Sequence, residues 1–396
     1  MKTIIFILLT AVCSMTVMAQ TEISPEKFME QKPLLSAQFN EYAGKGDYQA
    51  AVKSANELIA LFSQLSKVNQ KRYNSLLSLS DLYYGLACCL SMLNKMEEAI
   101  DAFEEAVKYG FSNYNHANIA KHFDNIRNNQ RFIALMESIS ENDYISILRQ
   151  AGKFQSADTT GLPRFTYEAS TSNNLRNVRG FFKLDSIAGD GDEISKILNL
   201  MKWVQTNIHH DGRNNDLYEF TSIDIYNYHK STGKGVNCRH LAIVLNEMYL
   251  AMGFKSRWVS CHSKEESNTY HVINSVYSTT LKKWLWMDPT MNAYLKDENG
   301  NLLNIEEVRE RLIDNRPLVL NDDAKLIYQN KQTKEGYINS WMSKYLYWFY
   351  CPIDNRFNPE SNTNQTYISL CPLGYKPSSS NVRMVVTHDA AYFWEH

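Results

Sequence analysis

The chain is 396 residues long, 44% hydrophobic and 12% aromatic, with 41 Lys+Arg against 43 Asp+Glu and a formal charge of -2. Two or three domains of roughly 100–200 residues are expected from that length, and the composition is that of a globular protein. Charge is balanced and no long basic run occurs, so composition points to neither nucleic acid nor an anionic membrane surface as a partner.

The first element predicted is a leader over residues 1–19. Met1-Lys2-Thr3 is a short basic start, Ile4 to Val12 is apolar, and Val17-Met18-Ala19 offers small residues for cleavage before Gln20. The apolar run is shorter than the ~20 residues a membrane helix needs, and no other segment is apolar for longer, so no membrane span is expected. Ala11-Val12 ahead of Cys13 fits a lipoprotein box poorly, so no lipid anchor is expected. The leader predicts a secreted or periplasmic protein, as in a Gram-negative bacterium. Beyond it lie Cys88, Cys89, Cys238, Cys261, Cys351 and Cys371. Export permits disulfides. Cys351 and Cys371 both precede proline in a β-rich tail and are candidates to pair, which sequence alone leaves open. Cys88, Cys89 and Cys261 read as buried thiols.

Residues 20–145 read as a helical domain. Tyr83, Leu86, Ala87, Leu90, Ala99, Phe103 and Ala106 fall where a tetratricopeptide repeat places large and small apolar residues. Phe39 and Tyr42, followed by Gly46-Asp47-Tyr48-Gln49-Ala50-Ala51, repeat the pattern. The corresponding alanines, Ala51 and Ala99, are 48 positions apart, more than the usual period of about 34. Longer helices around Ser63–Arg72 are expected to absorb the difference. Gly110-Phe111 through Phe132 resembles the end of a repeat array. Two repeats make a small groove, so a packing module is the simpler reading and a docking groove for a protein partner the other.

Ser140 to Phe182 reads as a mixed linker. From Asp192 a helix follows, with Ile194, Ile197, Leu198, Leu200, Met201, Val204 and Ile208 as its apolar stripe. A second helix runs from Cys238 to Met252 and stops at Gly253, a left-handed cap. Three strands are predicted at Lys255–His262, His271–Tyr277 and Trp284–Met287. One more helix follows Glu306, and the tail from Tyr345 reads mostly as β.

The chemistry converges on Cys238, His271 and Asp288. A cysteine at a helix start gains thiolate character from unpaired N–H groups and the helix dipole, and the same N–H groups can hold an oxyanion. Asn237 is the expected cap. His271 begins a strand and Asp288 ends the next, 17 positions on. A hairpin closing between about 279 and 283 brings them together. The aspartate then orients the imidazole, whose other nitrogen serves the thiol. Asn237, Arg239 and His240 are candidate substrate contacts, with Arg239 and His240 otherwise surface residues of the first turn. His209-His210-Asp211-Gly212 reads as a helix end from which His210 or Asp211 can line the cleft. Arg257 reads as a structural ion-pair partner. Cys238, His240, Cys261, His262 and His271 lack metal-site spacing, so no metal is expected.

Gly235-Val236-Asn237-Cys238, Leu250-Ala251-Met252-Gly253-Phe254-Lys255-Ser256-Arg257-Trp258-Val259, Tyr270-His271-Val272 and Trp284-Leu285-Trp286-Met287-Asp288-Pro289-Thr290 together resemble the transglutaminase-like superfamily, a papain-like cysteine fold. The resemblance covers roughly residues 180–320. It departs at Ile273, where the family often has an aromatic residue, which bears on substrate contact. The resemblance implies an α+β fold, with a transglutaminase-like domain at 146–330 between the helical domain and a β-rich extension at 331–396 packed on the core. It implies acyl transfer at an amide of a peptide or protein, through a thioester on Cys238 and without a cofactor. Peptidase or deamidase chemistry is favoured because water is the default acceptor. The alternative is a non-catalytic scaffold that keeps the fold to bind a peptide.

Overall fold

A computed structural model describes residues 22–140, 143–214, 217, 221–265, 269–325, 332–361, 365–378 and 383–395. The predicted leader lies outside the described residues. The chain divides into two compact units, one running through Phe111 with Ala120–Leu135 added, the other made of Ser112–Ile119 and the chain from Met136 onward.

The first unit is helical. Helix α1 (Pro25–Lys45) starts at Ser24, whose hydroxyl accepts from Lys27 N, and ends at Gly46 with φ 77°, a left-handed turn that glycine adopts without penalty. Asp47 at once caps α2 (Tyr48–Ser63) by accepting from Ala50 N, so the two helices fold back as a hairpin. α4 (Leu79–Met92) and α5 (Met96–Lys108) form a second hairpin through Asn94. A Cβ on Gly85 of α4 would lie 2.7 Å from the Phe39 ring of α1, so the missing side chain sets how closely those helices approach. Between the hairpins stands a separate helix, α3 (Lys67–Leu77), in place of the expected lengthening. The break has a local cause. The Gln70 side chain donates to Ser63 O at 3.1 Å and Leu65 O at 2.8 Å, occupying carbonyls that a continued α2 would use. Phe103, Phe123 and Phe132 pack with centroids 5.0–5.4 Å apart, closing the hydrophobic core of this unit. Residues 25–151 are built of helices, consistent with helical repeats.

α7 (Gln130–Ser140) runs from the first unit into the second, which also holds α6 (Tyr114–Ile119). The stretch expected as a linker contains α8 (Tyr144–Ala151), capped by Asp143, and α9 (Asn173–Phe182), capped by Ser172. Leu175, Val178 and Phe182 of α9 are buried, a helical spacing that the polar residues between them obscure. α10 (Leu184–Ala188), α11 (Glu193–Asn207), α12 (Ser222–Thr232) and α13 (Cys238–Ala251) follow. Every residue of α13 from His240 to Ala251 is buried, as expected of a helix enclosed on all sides.

α13 lies on a mixed sheet of six strands: β1 (Ser256–His262), β2 (His271–Ser278), β3 (Lys283–Met287), β4 (Trp348–Pro352), β5 (Thr366–Leu370) and β6 (Arg383–Thr387). Their order is β6-β5-β4-β1-β2-β3, parallel only between β6 and β5. Trp258, Val272, Val276, Leu285 and Met287 join the core on the α13 side. Val259, Cys261, Ile273 and Trp286 face the opposite layer, built from α8, α14 (Ile305–Ile313) and the chain around Tyr337–Phe349. The tail is thus hydrogen-bonded into the central sheet, with β4 directly beside β1.

Two expectations are corrected in this layer. Arg257 is fully buried, yet its guanidinium meets no carboxylate side chain among the described residues. It donates to Tyr167 Oη at 2.7 Å, to Phe393 O at 2.6 Å and to Glu395 O, between the rings of Phe165 and Trp284. Those carbonyls belong to α15 (Ala390–Phe393) and the residues after it, so Arg257 fastens the tail to the sheet. Cys351 and Cys371 are both buried free thiols rather than a pair, and burial pushes each up to about 12.

Candidate active site

The site forms at one end of the sheet. Asn237 has extended backbone and its side chain accepts from His240 N at 3.2 Å, which starts α13 with Cys238 as its first residue. The chain entering the helix is held by a parallel bridge between His210 and Val236, with Asp211 N donating to Val236 O at 2.7 Å and Val236 N to His209 O at 2.8 Å. Gly235 permits this contact: a Cβ there would lie 2.8 Å from Asp211 Cβ and 2.9 Å from Asp211 N. Asn214 adds a bond to Gly235 O at 2.6 Å. Cys238 is half-buried and within reach of solvent.

His271 opens β2 opposite Cys261 of β1, and Asp288 follows the last residue of β3. The pairing Asn274↔Met287 sets the register, so the two residues meet diagonally across the strand ends. His271 Nε2 donates to Asp288 Oδ2 at 2.9 Å, leaving Nδ1 for Cys238. At the far end of the hairpin, Glu193 accepts from Thr279 N and Thr280 N, both at 2.9 Å. Lys283 there donates to Glu307 at 2.6 Å. The register that brings histidine to aspartate is therefore fixed at both ends.

Electrostatics favour a charged pair. Burial raises the Cys238 thiol, but hydrogen bonds with His210 and His271, the His271 charge and the Val272 N–H outweigh it, leaving the thiol at about 6. Burial lowers the His271 imidazole, while the Asp288 charge and hydrogen bond and the Cys238 thiolate lift it to about 10. Burial would push the Asp288 carboxyl up, yet His271 and further donors hold it below its usual range. Those donors are Tyr337 Oη at 2.7 Å from Oδ2 and Thr290 N at 2.9 Å from Oδ1. Thiolate and imidazolium are the stable forms near neutrality.

His271 and Asp288 are thus hydrogen-bonded to each other, and His271 lies near enough to Cys238 to lower its thiol. The neighbours predicted to touch substrate lie otherwise. His240 is only 3% exposed, and burial with the Arg239 charge lowers its imidazole to about 4. A ring enclosed in this way lies on the inner side of α13, not the surface the sequence reading gave it. Arg239 donates to Glu360 at 2.7 Å and lies over Trp258, so its charge is already engaged. Asn237 serves as the cap.

Sequence reasoning missed two contributors, both beyond Asp288. Tyr337 is fully buried in a single π-helical turn, Glu335–Asn339, with Trp286 Nε1 donating to its hydroxyl at 3.2 Å. Such turns often mark functional positions. Trp341 packs against the His271 ring at 4.6 Å. The available signal was aromatic density, since Tyr337, Trp341, Tyr345, Tyr347, Trp348, Phe349 and Tyr350 crowd a short stretch. Among the described residues no group of three or more His, Cys, Asp and Glu is placed to hold a metal ion. None of the described helices is long and apolar enough to cross a membrane.

A cysteine at the head of a buried helix, with histidine and aspartate supplied by the adjoining strands, defines a papain-like architecture. Residues 182–289 match the family model described as the transglutaminase-like superfamily, so the chain carries a transglutaminase-like domain. Cys238, His271 and Asp288 all fall within the match. No curated protein matches the chain.

Proposed function

We propose that this protein is a cysteine enzyme that cleaves amide bonds of peptides or proteins through a thioester on Cys238, with water as the acceptor. One observation carries the reading: His271, which Asp288 holds at 2.9 Å, lowers the thiol of Cys238 at the head of α13. In the proposed step the thiolate adds to the carbonyl carbon, and the first N–H groups of α13 receive the developing oxyanion. The imidazolium of His271 gives its Nδ1 proton to the leaving nitrogen as the C–N bond breaks. Water then attacks the thioester, His271 takes a proton from it, and the carboxylate departs as the C–S bond breaks. Asp288 holds the ring in one orientation throughout. The direct test is alkylation by iodoacetamide near neutral pH, together with turnover of a panel of peptide amides. Cys238 should alkylate faster than a free cysteine, and Cys238→Ala should abolish turnover. A thiol of ordinary reactivity, or full turnover in Cys238→Ala, overturns the reading.

Export belongs to the same proposal, since residues 1–19 have the composition of a cleavable leader. A mature protein recovered from the medium or periplasm should begin at Gln20 on N-terminal sequencing.

A further inference from the structure

We propose that His210 is a second catalytic imidazole of this site, donating a ring N–H to the Cys238 sulfur beside the His271–Asp288 pair. The inference rests on Cys238 being the nucleophile. Three structural facts place His210 there. Its backbone is bridged to Val236, two residues before the cysteine. The bridge is tight enough that a Cβ on Gly235 would come within 3.0 Å of His210 C. The turn at Gly212 packs against the ring, a Cβ there lying in ordinary contact at 3.5 Å from Cε1 and 3.7 Å from Nε2. The ring also lowers the Cys238 thiol, as a donor near the sulfur would. His210 is half-buried, so substrate can reach the atoms it faces.

The charged groups around this contact are few. His271, bonded through Nε2 to Asp288, is the other imidazole of the site. Asp211 and Arg213, 3.7 Å apart, lie on His210's own turn. Arg239, on α13, is engaged by Glu360. None of these replaces an N–H donor on the sulfur. His271 is committed through Nε2 to Asp288, so a second ring gives the thiolate a donor independent of that pair. It stabilises the thiolate before attack, and it keeps a donor beside the sulfur when His271 passes its proton to the leaving nitrogen.

The test is the pH dependence of iodoacetamide alkylation of the full-length protein, with circular dichroism confirming that each variant folds. Wild type should alkylate along an acid limb well below that of a free thiol. His210→Phe keeps the ring volume without an N–H. It should move the limb up by about one pH unit, making alkylation about fivefold slower at pH 6. His210→Ala should do the same, and His210→Gln, which keeps a donor, should recover part of the rate. If His210→Phe and His210→Ala alkylate like wild type at every pH, the assignment to His210 is overturned while the cysteine reading stands. The same holds if turnover falls with the alkylation limb unmoved. If wild type itself alkylates no faster than a free cysteine, the cysteine reading fails first.

Discussion

At the residue scale the site is a question of where two protons reside. With the thiol at about 6 and the imidazole at about 10, sulfur and ring are oppositely charged across the interval between those values. Turnover that needs both a thiolate and an imidazolium should rise with pH through the lower value and fall through the upper, giving a broad plateau. Asp288→Asn removes the charge that most lifts His271, leaving burial opposed only by Cys238. The imidazolium is then less favoured, and the thiol moves back up with its loss. The expected outcome is an acid limb for Cys238 alkylation shifted upward by one unit or more, with turnover reduced at least tenfold. An unshifted limb in Asp288→Asn would mean that the thiol owes nothing to the pair. The three candidate residues stood out in the sequence because each occupies a distinct local context: a capped helix start, a strand start and a strand end. Tyr337 and Trp341 did not, because no periodicity or motif links a π-helical turn to a carboxylate far upstream.

The elements around the thiol explain its setting better than the thiol does. The bridge between Val236 and His210 joins the approach to α13 with the exit from α11, and Gly235 is the contact point. Gly235 is not among the residues of positive φ, so the demand for glycine is steric rather than conformational. Gly235→Ala must push the 209–211 backbone away, because the added methyl would meet main-chain atoms that cannot rotate aside. A cost of ~1–3 kcal/mol is expected from overpacking, together with slower Cys238 alkylation as His210 withdraws. Urea denaturation and the alkylation rate test the two effects separately. Loss of stability with an unchanged rate would show that the bridge supports only the fold. The main elements were readable where one apolar stripe or one alternation dominated, as in α11, α13 and β1 to β3. They were hidden where burial is shared among short pieces. α9 buries Leu175, Val178 and Phe182 behind a polar sequence, and α3 starts afresh where Gln70 bonds the carbonyls of Ser63 and Leu65 and Ser66 accepts from Asn69 N.

Taken as a whole, the second unit is larger than the stretch that matches the transglutaminase-like model. β4 covers the edge of β1, Tyr337 supports Asp288, and Arg257 binds the carbonyls of Phe393 and Glu395. Removing residues 389–396 should leave a buried guanidinium without those acceptors, at a cost of ~3–5 kcal/mol in urea denaturation. Arg257→Met should cost less than the deletion, since no charge is left stranded. If the deletion proves no worse than the substitution, Arg257 does not depend on the tail for its acceptors.

The same stitching sets an order in time. A nascent chain that has emerged only as far as Asp288 already holds the cysteine, histidine and aspartate. It has neither the strand that covers one edge of β1 nor the hydroxyl that steadies the aspartate. Both arrive with Tyr337 and Trp348, and Arg257 gains its last acceptors only with Glu395. Synthesis must therefore run well past Asp288 before the thiol of Cys238 acquires its finished surroundings.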